Sequence, residues 1–145
     1  MKNLKMTSLM MTKYGNINET LEFQKVSIPT ISPKQILIKT KAASFNPLDY
    51  KIIRGDLKIV QKIHFPKGIG RDVSGIVEEI GPGVLDFKVG DNVFSRISEE
   101  HVGTMAEYVV SNESDVSLMP SNLNFIESAS ITLAGLTVYQ SLVDI

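Results

Sequence analysis

The chain has no cysteine among its 145 residues. That removes disulfides, thiolate nucleophiles and every cysteine-ligated zinc or iron–sulfur centre in one step. It fits a reducing cytoplasm, which is the expected location. Charge of one sign is also lacking, because the formal net charge is −1 and the fifteen basic residues are scattered. With aromatics at only 7%, no basic–aromatic stripe suggests nucleic acid, and nothing favours an acidic membrane surface. No run approaches the roughly 18 apolar residues that a membrane span needs. Lys2 and Lys5 followed by Met6 to Thr12 imitate a secretory leader. The apolar run is short, however, carries Thr7, Ser8 and Thr12, and has no small-x-small cleavage site, so it reads as a first strand. Internal repeats and low-complexity segments are absent.

What remains is ordinary soluble material: 43% apolar and 21% charged residues, in a chain of single-domain length. Such a chain buries about two-thirds of the surface exposed when unfolded. From Met6 to about Leu118 the pattern is β-structure punctuated by turns. Leu21 to Val26 alternates and ends near Pro29 and Pro33. Ile36, Ile38, Thr40 and Ala42 share one face of the next strand, with Lys39 and Lys41 on the other. Val73 to Ile80 is a strand closed by Gly81-Pro82-Gly83. Gly90-Asp91 is a tight turn before another strand, Ala106 to Val110 is a further strand, and Ser117 to Pro120 is extended. Residues 56–69 read as an irregular loop around His64, Pro66 and Gly68.

Two helices interrupt this pattern. Asn46-Pro47 suits a helix start, Asn as cap and Pro at the first helical position, with Gly55 as the stop. After Asn124, helix-compatible spacing joins Phe125, Ala129, Leu133 and Leu136, with Glu127 near the start. The expected architecture is mainly β: a partly open barrel with short helices and a helical C-terminal extension. Its boundaries are drawn at 1–124 and 125–145. A dinucleotide fingerprint needs Gly-x-Gly-x-x-Gly between strand and helix. Gly68-Ile69-Gly70-Arg71-Asp72-Val73 fails at the third glycine and is followed by a strand, and the Gly81-Pro82-Gly83 turn fails at Asp86.

Four segments carry a family resemblance. Ala42 to Gly55, with Asn46, Asp49 and Tyr50 close together, resembles the active-site turn of zinc-independent medium-chain dehydrogenase/reductases of the quinone oxidoreductase-like branch. Gly70-Arg71-Asp72-Val73-Ser74-Gly75-Ile76-Val77-Glu78-Glu79-Ile80-Gly81 resembles the family strand GxExxGxVxxxG. Val89-Gly90-Asp91-Asn92-Val93 resembles its VGDRV turn, and Leu133 to Gln140 its xxGLTAY helix. The four are in register, and order and spacing agree with the family across essentially the whole chain, from Leu4 to Leu142. The resemblance implies a GroES-like barrel on the substrate side of an enzyme. Such an enzyme passes hydride from NADPH to quinones or activated alkenes and carbonyls.

Zinc-dependent members keep a Cys where this chain has Asn46, a His where it has Arg71 and a Glu where it has Asp72. The structural zinc lobe is also lacking across residues 95–105. A catalytic zinc needs three ligands of Cys, His or carboxylate type, and the two histidines, His64 and His101, stand 37 positions apart. No metal is therefore expected.

The resemblance implies catalytic roles for Asn46 and Tyr50, and contact with the cofactor for Asn46 and Thr137. Plain alternatives stand beside these: a helix cap for Asn46, a surface aromatic for Tyr50, and a hydroxyl bonded to a preceding carbonyl for Thr137. Asp49 reads as a carboxylate holding the turn. Arg71 and Asp72 read as an ion pair or polar lining of the cleft, Met105 as packing near it, and His64 and His101 as loop residues. The chain stops at Ile145, where the family's nucleotide-binding half begins. A natural truncation or a piece cut at the domain boundary is expected, inactive alone, with the cofactor bound mainly outside it. Self-association through Leu133, Leu136 and Leu142 is also expected. A different class remains open: a stand-alone GroES-like binding or assembly module, or an inactive relic.

Overall fold

The computed structural model describes residues 4–60, 62–98, 100 and 103–143. Strand β1 (Lys5–Met11) runs antiparallel to β2 (Leu21–Ser27), in register from Lys5↔Ser27 to Met11↔Leu21, with the single-turn helix α1 (Ile17–Thr20) between them. The remaining elements are β3 (Gln35–Ser44), α2 (Pro47–Arg54), β4 (Lys67–Gly68), β5 (Asp72–Ile80), β6 (Asn92–Arg96), β7 (Tyr108–Asn112), a short 3-10 helix (Glu113–Asp115), β8 (Val116–Leu118) and α3 (Phe125–Leu142). They form a three-stranded sheet, β2-β1-β4, and a five-stranded sheet, β7-β3-β5-β6-β8.

The segment leading into β7 joins the two sheets. Leu9 N–H donates to Met105 O, Glu107 N–H to Thr7 O, and Thr40 N–H to Glu107 O. Backbone donors are thus shared between sheets rather than left at open edges, giving a mainly β, partly open barrel. Its core gathers Met6, Ile36, Ile38, Val73, Val77, Val93, Ile97 and Val109. Each such side chain contributes about 1.5–3 kcal/mol when fully buried. A second, smaller cluster of Met11, Ile53 and Ile69 seats α2 on β1 and β4.

Three differences from the sequence pattern have physical causes. In β3 the residues Ile36, Leu37 and Ile38 are all buried, because β3 pairs with both β7 and β5 while α3 packs against the sheet. Alternation survives only at the exposed Lys39 and Lys41. The expected loop over 56–69 contains β4, which pairs Met10↔Gly68 and Met11↔Lys67; two residues are too few to show a period. The strand expected from Ala106 begins at Tyr108, and Ala106 makes only an isolated bridge to Ser8.

The helix ends form as the sequence predicts. Asn46 is extended (φ −110°, ψ 159°) ahead of Pro47, and Gly55 takes the left-handed conformation (φ 84°) that a side chain resists. Gly55 N–H then reaches Ile52 O, and Asp56 N–H reaches Lys51 O.

Candidate functional site

The β3–β5 register sets Ser44, at the end of β3, opposite Asp72, at the start of β5. Asp72 is completely buried. Its Oδ2 accepts from Ser44 Oγ at 2.7 Å and from Asn46 Nδ2 at 2.9 Å. Its Oδ1 accepts from the backbone N–H of Leu133 in α3 at 3.2 Å. Strand alternation explains the direction: Asp72 and Ser74 lie under α3, where Ser74 Oγ donates to Phe125 O. Val73 and Val77 turn into the core instead.

The helix start beside this carboxylate holds a second one. Asn46 and Asp49 form the capping pair of α2, with Asn46 N–H donating to Asp49 Oδ2 at 2.8 Å. Asp49 is 3% exposed. Burial pushes its pKa up; the N–H groups of Asn46 and Gly70 and the Arg71 charge pull it down, and the Asp72 charge adds to the rise. Burial is the largest of these, and the net direction is upward. Asp49 and Arg71, itself 7% exposed, line a cavity of about 60 Å³ with Lys67, Ser98, Ile52 and Met11. The site therefore combines two buried carboxylates, one guanidinium, an amide and a hydroxyl.

The other expected residues lie at its margins. Tyr50 is exposed, with its ring 5.3 Å from the Arg54 guanidinium carbon, in a groove with Gly15, Asn16 and Asp56. None of the Asp72 hydrogen bonds comes from Tyr50. Thr137 is exposed on α3 and donates to Leu133 O at 2.8 Å, the back-bonded arrangement open to it from sequence. Met105 packs beside Met11, Ile53 and Ile69. His64 is exposed next to Phe65, and His101 lies outside the described residues. Among the described residues no three His, Cys, Asp or Glu side chains converge as a metal site.

Two participants carried no role in the sequence reading: Ser44 and the backbone N–H of Leu133. Ser44 closes the strand into the Asn46 turn, but its partner depends on β3–β5 register, which no local pattern reveals.

A mainly β GroES-like barrel with a polar cluster at the β3–α2 turn defines a class. Residues 32–121 match the alcohol dehydrogenase GroES-like domain, and the chain belongs to that family, in its quinone oxidoreductase-like branch. A mitochondrial NAD(P)H oxidoreductase of Dictyostelium discoideum is 35% identical over 144 residues, covering 97% of this chain and 41% of the relative. The chloroplastic NADPH-dependent alkenal/one oxidoreductase of Arabidopsis thaliana is 34% identical over 136 residues, covering 90% and 35%. Among solved structures, the quinone oxidoreductase from Coxiella burnetii superposes with a TM-score of 0.85 at 32% identity, covering 96% of this chain and 44% of that one. The chain spans about two-fifths of the length of the first two curated relatives it matches.

Proposed function

We propose that this chain is the substrate-side part of an NADPH-dependent, zinc-independent oxidoreductase that reduces quinones or activated alkenes and carbonyls by hydride transfer. Residues 1–124 form the barrel in this reading, and 125–145 bridge toward a nucleotide-binding part. The observation that supports it best is the cluster of Ser44, Asn46 and Asp72, in which a buried carboxylate holds the Asn46 amide in one orientation at the turn. Arg71 lies one position before Asp72 in sequence and cannot serve as a zinc ligand.

Bound NADPH supplies the hydride. This chain's residues then have two tasks. The Asn46 amide and the exposed Thr137 hydroxyl meet the nicotinamide end, while the phosphates find no Gly-rich strand–turn–helix in the sequence. Hydride arrival at a conjugated carbon pushes negative charge onto a distant carbonyl oxygen, which preorganised donors must stabilise. The Arg71 guanidinium, at the cavity shared with Asp49, is the donor proposed for that task, and Tyr50 is a more distant one.

The test pairs two measurements. Fluorescence titration of the 145-residue chain with NADPH is expected to show no saturation, and elemental analysis no stoichiometric zinc. A longer protein carrying these residues is expected to oxidise NADPH when a quinone or alkenal is added. Micromolar saturation by the short chain would place the cofactor site within it. One zinc per chain would overturn the zinc-independent assignment, and no turnover with any such acceptor would sink the oxidoreductase reading in favour of a binding module.

A further inference from the structure

Donors from three elements, one of them far along the chain, meet on one carboxylate. Ser44 closes β3, Asn46 caps α2, and Leu133 sits midway along α3; all three donate to Asp72. We infer that Asp72 is a positioning residue. It fixes which way the Asn46 amide faces and holds α3 at Leu133, so that one side chain sets the geometry between Asn46 and the half of α3 that carries Thr137. Its kinetic consequence rests on the oxidoreductase reading above; its structural consequence does not.

An Asn side chain can present either its oxygen or its nitrogen to a neighbour. A carboxylate only accepts, so Asp72 Oδ2 commits the Asn46 Nδ2 to the inside and its carbonyl oxygen to the other side. Ser44 reinforces this choice. Its single proton goes to Asp72, which leaves its oxygen to accept from the same Asn46 Nδ2 at 3.4 Å. The hydrogen bonds therefore point one way around the cluster and support one another.

The second oxygen acts on α3. A backbone N–H inside a helix ordinarily serves only the carbonyl one turn back, yet Leu133 N–H also has a buried carboxylate at 3.2 Å. That contact falls at a boundary. Ser128, Ala129 and Thr132 are buried against the sheet, whereas Ala134 to Val143 are exposed. Asp72 thus pins the helix where its packed half gives way to its projecting half. Because Asp72 is completely buried, no solvent can replace it if its acceptors are lost. Asp49 does not serve as a substitute, since its oxygens take the N–H groups of Asn46 and Gly70.

The variant Asp72→Asn keeps the shape but has one acceptor oxygen and one donor nitrogen. Whichever way it turns, either Leu133 or the Ser44–Asn46 pair meets a donor. In the 145-residue chain, hydrogen exchange followed by NMR is expected to speed up about tenfold at the Leu133 amide or the Asn46 carboxamide. The Val77 amide, which donates to Asp91 O in a distant turn, should keep its protection. Unchanged exchange at both sites overturns the inference. If Asp72→Asn does not fold, Ser44→Ala decides it: Asp72 still holds the Asn46 carboxamide and Leu133, so both should stay protected, and lost protection at Asn46 would show that Ser44 rather than Asp72 sets the amide and overturns the inference.

In a longer oxidoreductase carrying these residues, Asp72→Asn is expected to lower kcat by about a hundredfold through misplacement, with KM for the acceptor little changed. An unchanged kcat in a variant whose exchange has risen refutes the positioning role. If the unmodified enzyme turns over no quinone or alkenal, the oxidoreductase reading fails, and the exchange result still decides whether Asp72 is the anchor.

Discussion

Asp49 shows how far one residue's meaning depends on what is folded over it. From sequence it is a carboxylate three positions after a helix cap. In the structure it is 3% exposed, and burial raises its pKa above the ordinary 3.8 despite two backbone N–H donors and the Arg71 charge. In the unfolded chain it loses its proton near 3.8, before the folded chain does. Across that window the unfolded state holds fewer protons, so this group makes stability fall as pH rises. The cost is fully present above the raised folded value and gone below the unfolded one. Asp49→Asn removes the titration. The stability of the unmodified chain relative to Asp49→Asn should therefore improve as pH is lowered from neutral, measured by urea denaturation at several pH values. A difference that stays flat with pH would mean that Asp49 titrates normally. Asn46 and Asp49 were visible in sequence as a polar turn, and Asp72 separately as lining of the cleft. The sharing of Asp72 was not, because Ser44 and Leu133 lie 28 and 61 positions away from it.

Elements were more legible than contacts, and the two ends of α2 and the start of α3 were most legible of all. Asn46-Pro47 and Gly55 bracket α2, and Asn124 opens α3, because capping chemistry is local and written within four residues. At α3 the box is complete: Glu127 N–H donates to Asn124 Oδ1 and Asn124 N–H to Glu127 Oε2, both at 2.9 Å. Asn124→Ala should cost about 1 kcal/mol. It would appear as a lower urea midpoint with an unchanged slope; an unaltered midpoint would show that packing of Ser128 and Ala129 alone sets the helix. Where sequence reasoning failed, the cause was two-sided cover. Leu37 is buried between Ile36 and Ile38 because β3 is a central strand carrying α3 on the sheet, and no alternating pattern can announce that. The strand β4 was missed for a different reason, since its pairing with β1 depends wholly on the partner.

At the scale of the molecule, the barrel is closed enough to hold a core while one half of α3 is left bare. Leu133 departs from the expected apolar face: it is half-buried and tied to Asp72 through its backbone. Ile131, Leu136, Val138, Tyr139 and Leu142 remain exposed, Leu142 at 75%. Several large apolar side chains along one helix make a patch of the kind that soluble monomers rarely leave contiguous. The helix makes no charged contribution there, since from Ser128 to Val143 it carries no Asp, Glu, Lys or Arg. The helix itself then brings no like charges to a contact between two such faces, and each leucine buried in it is worth about 1.5–3 kcal/mol. The expected result is a weight-average mass that rises with concentration in sedimentation equilibrium. Leu136→Lys with Leu142→Lys should abolish the rise while leaving the circular dichroism spectrum intact, because both side chains lie outside the core. A chain that sediments as a monomer at every concentration would show that the bare half of α3 is tolerated in water, and that its apolar residues have some use other than contact between copies of this chain.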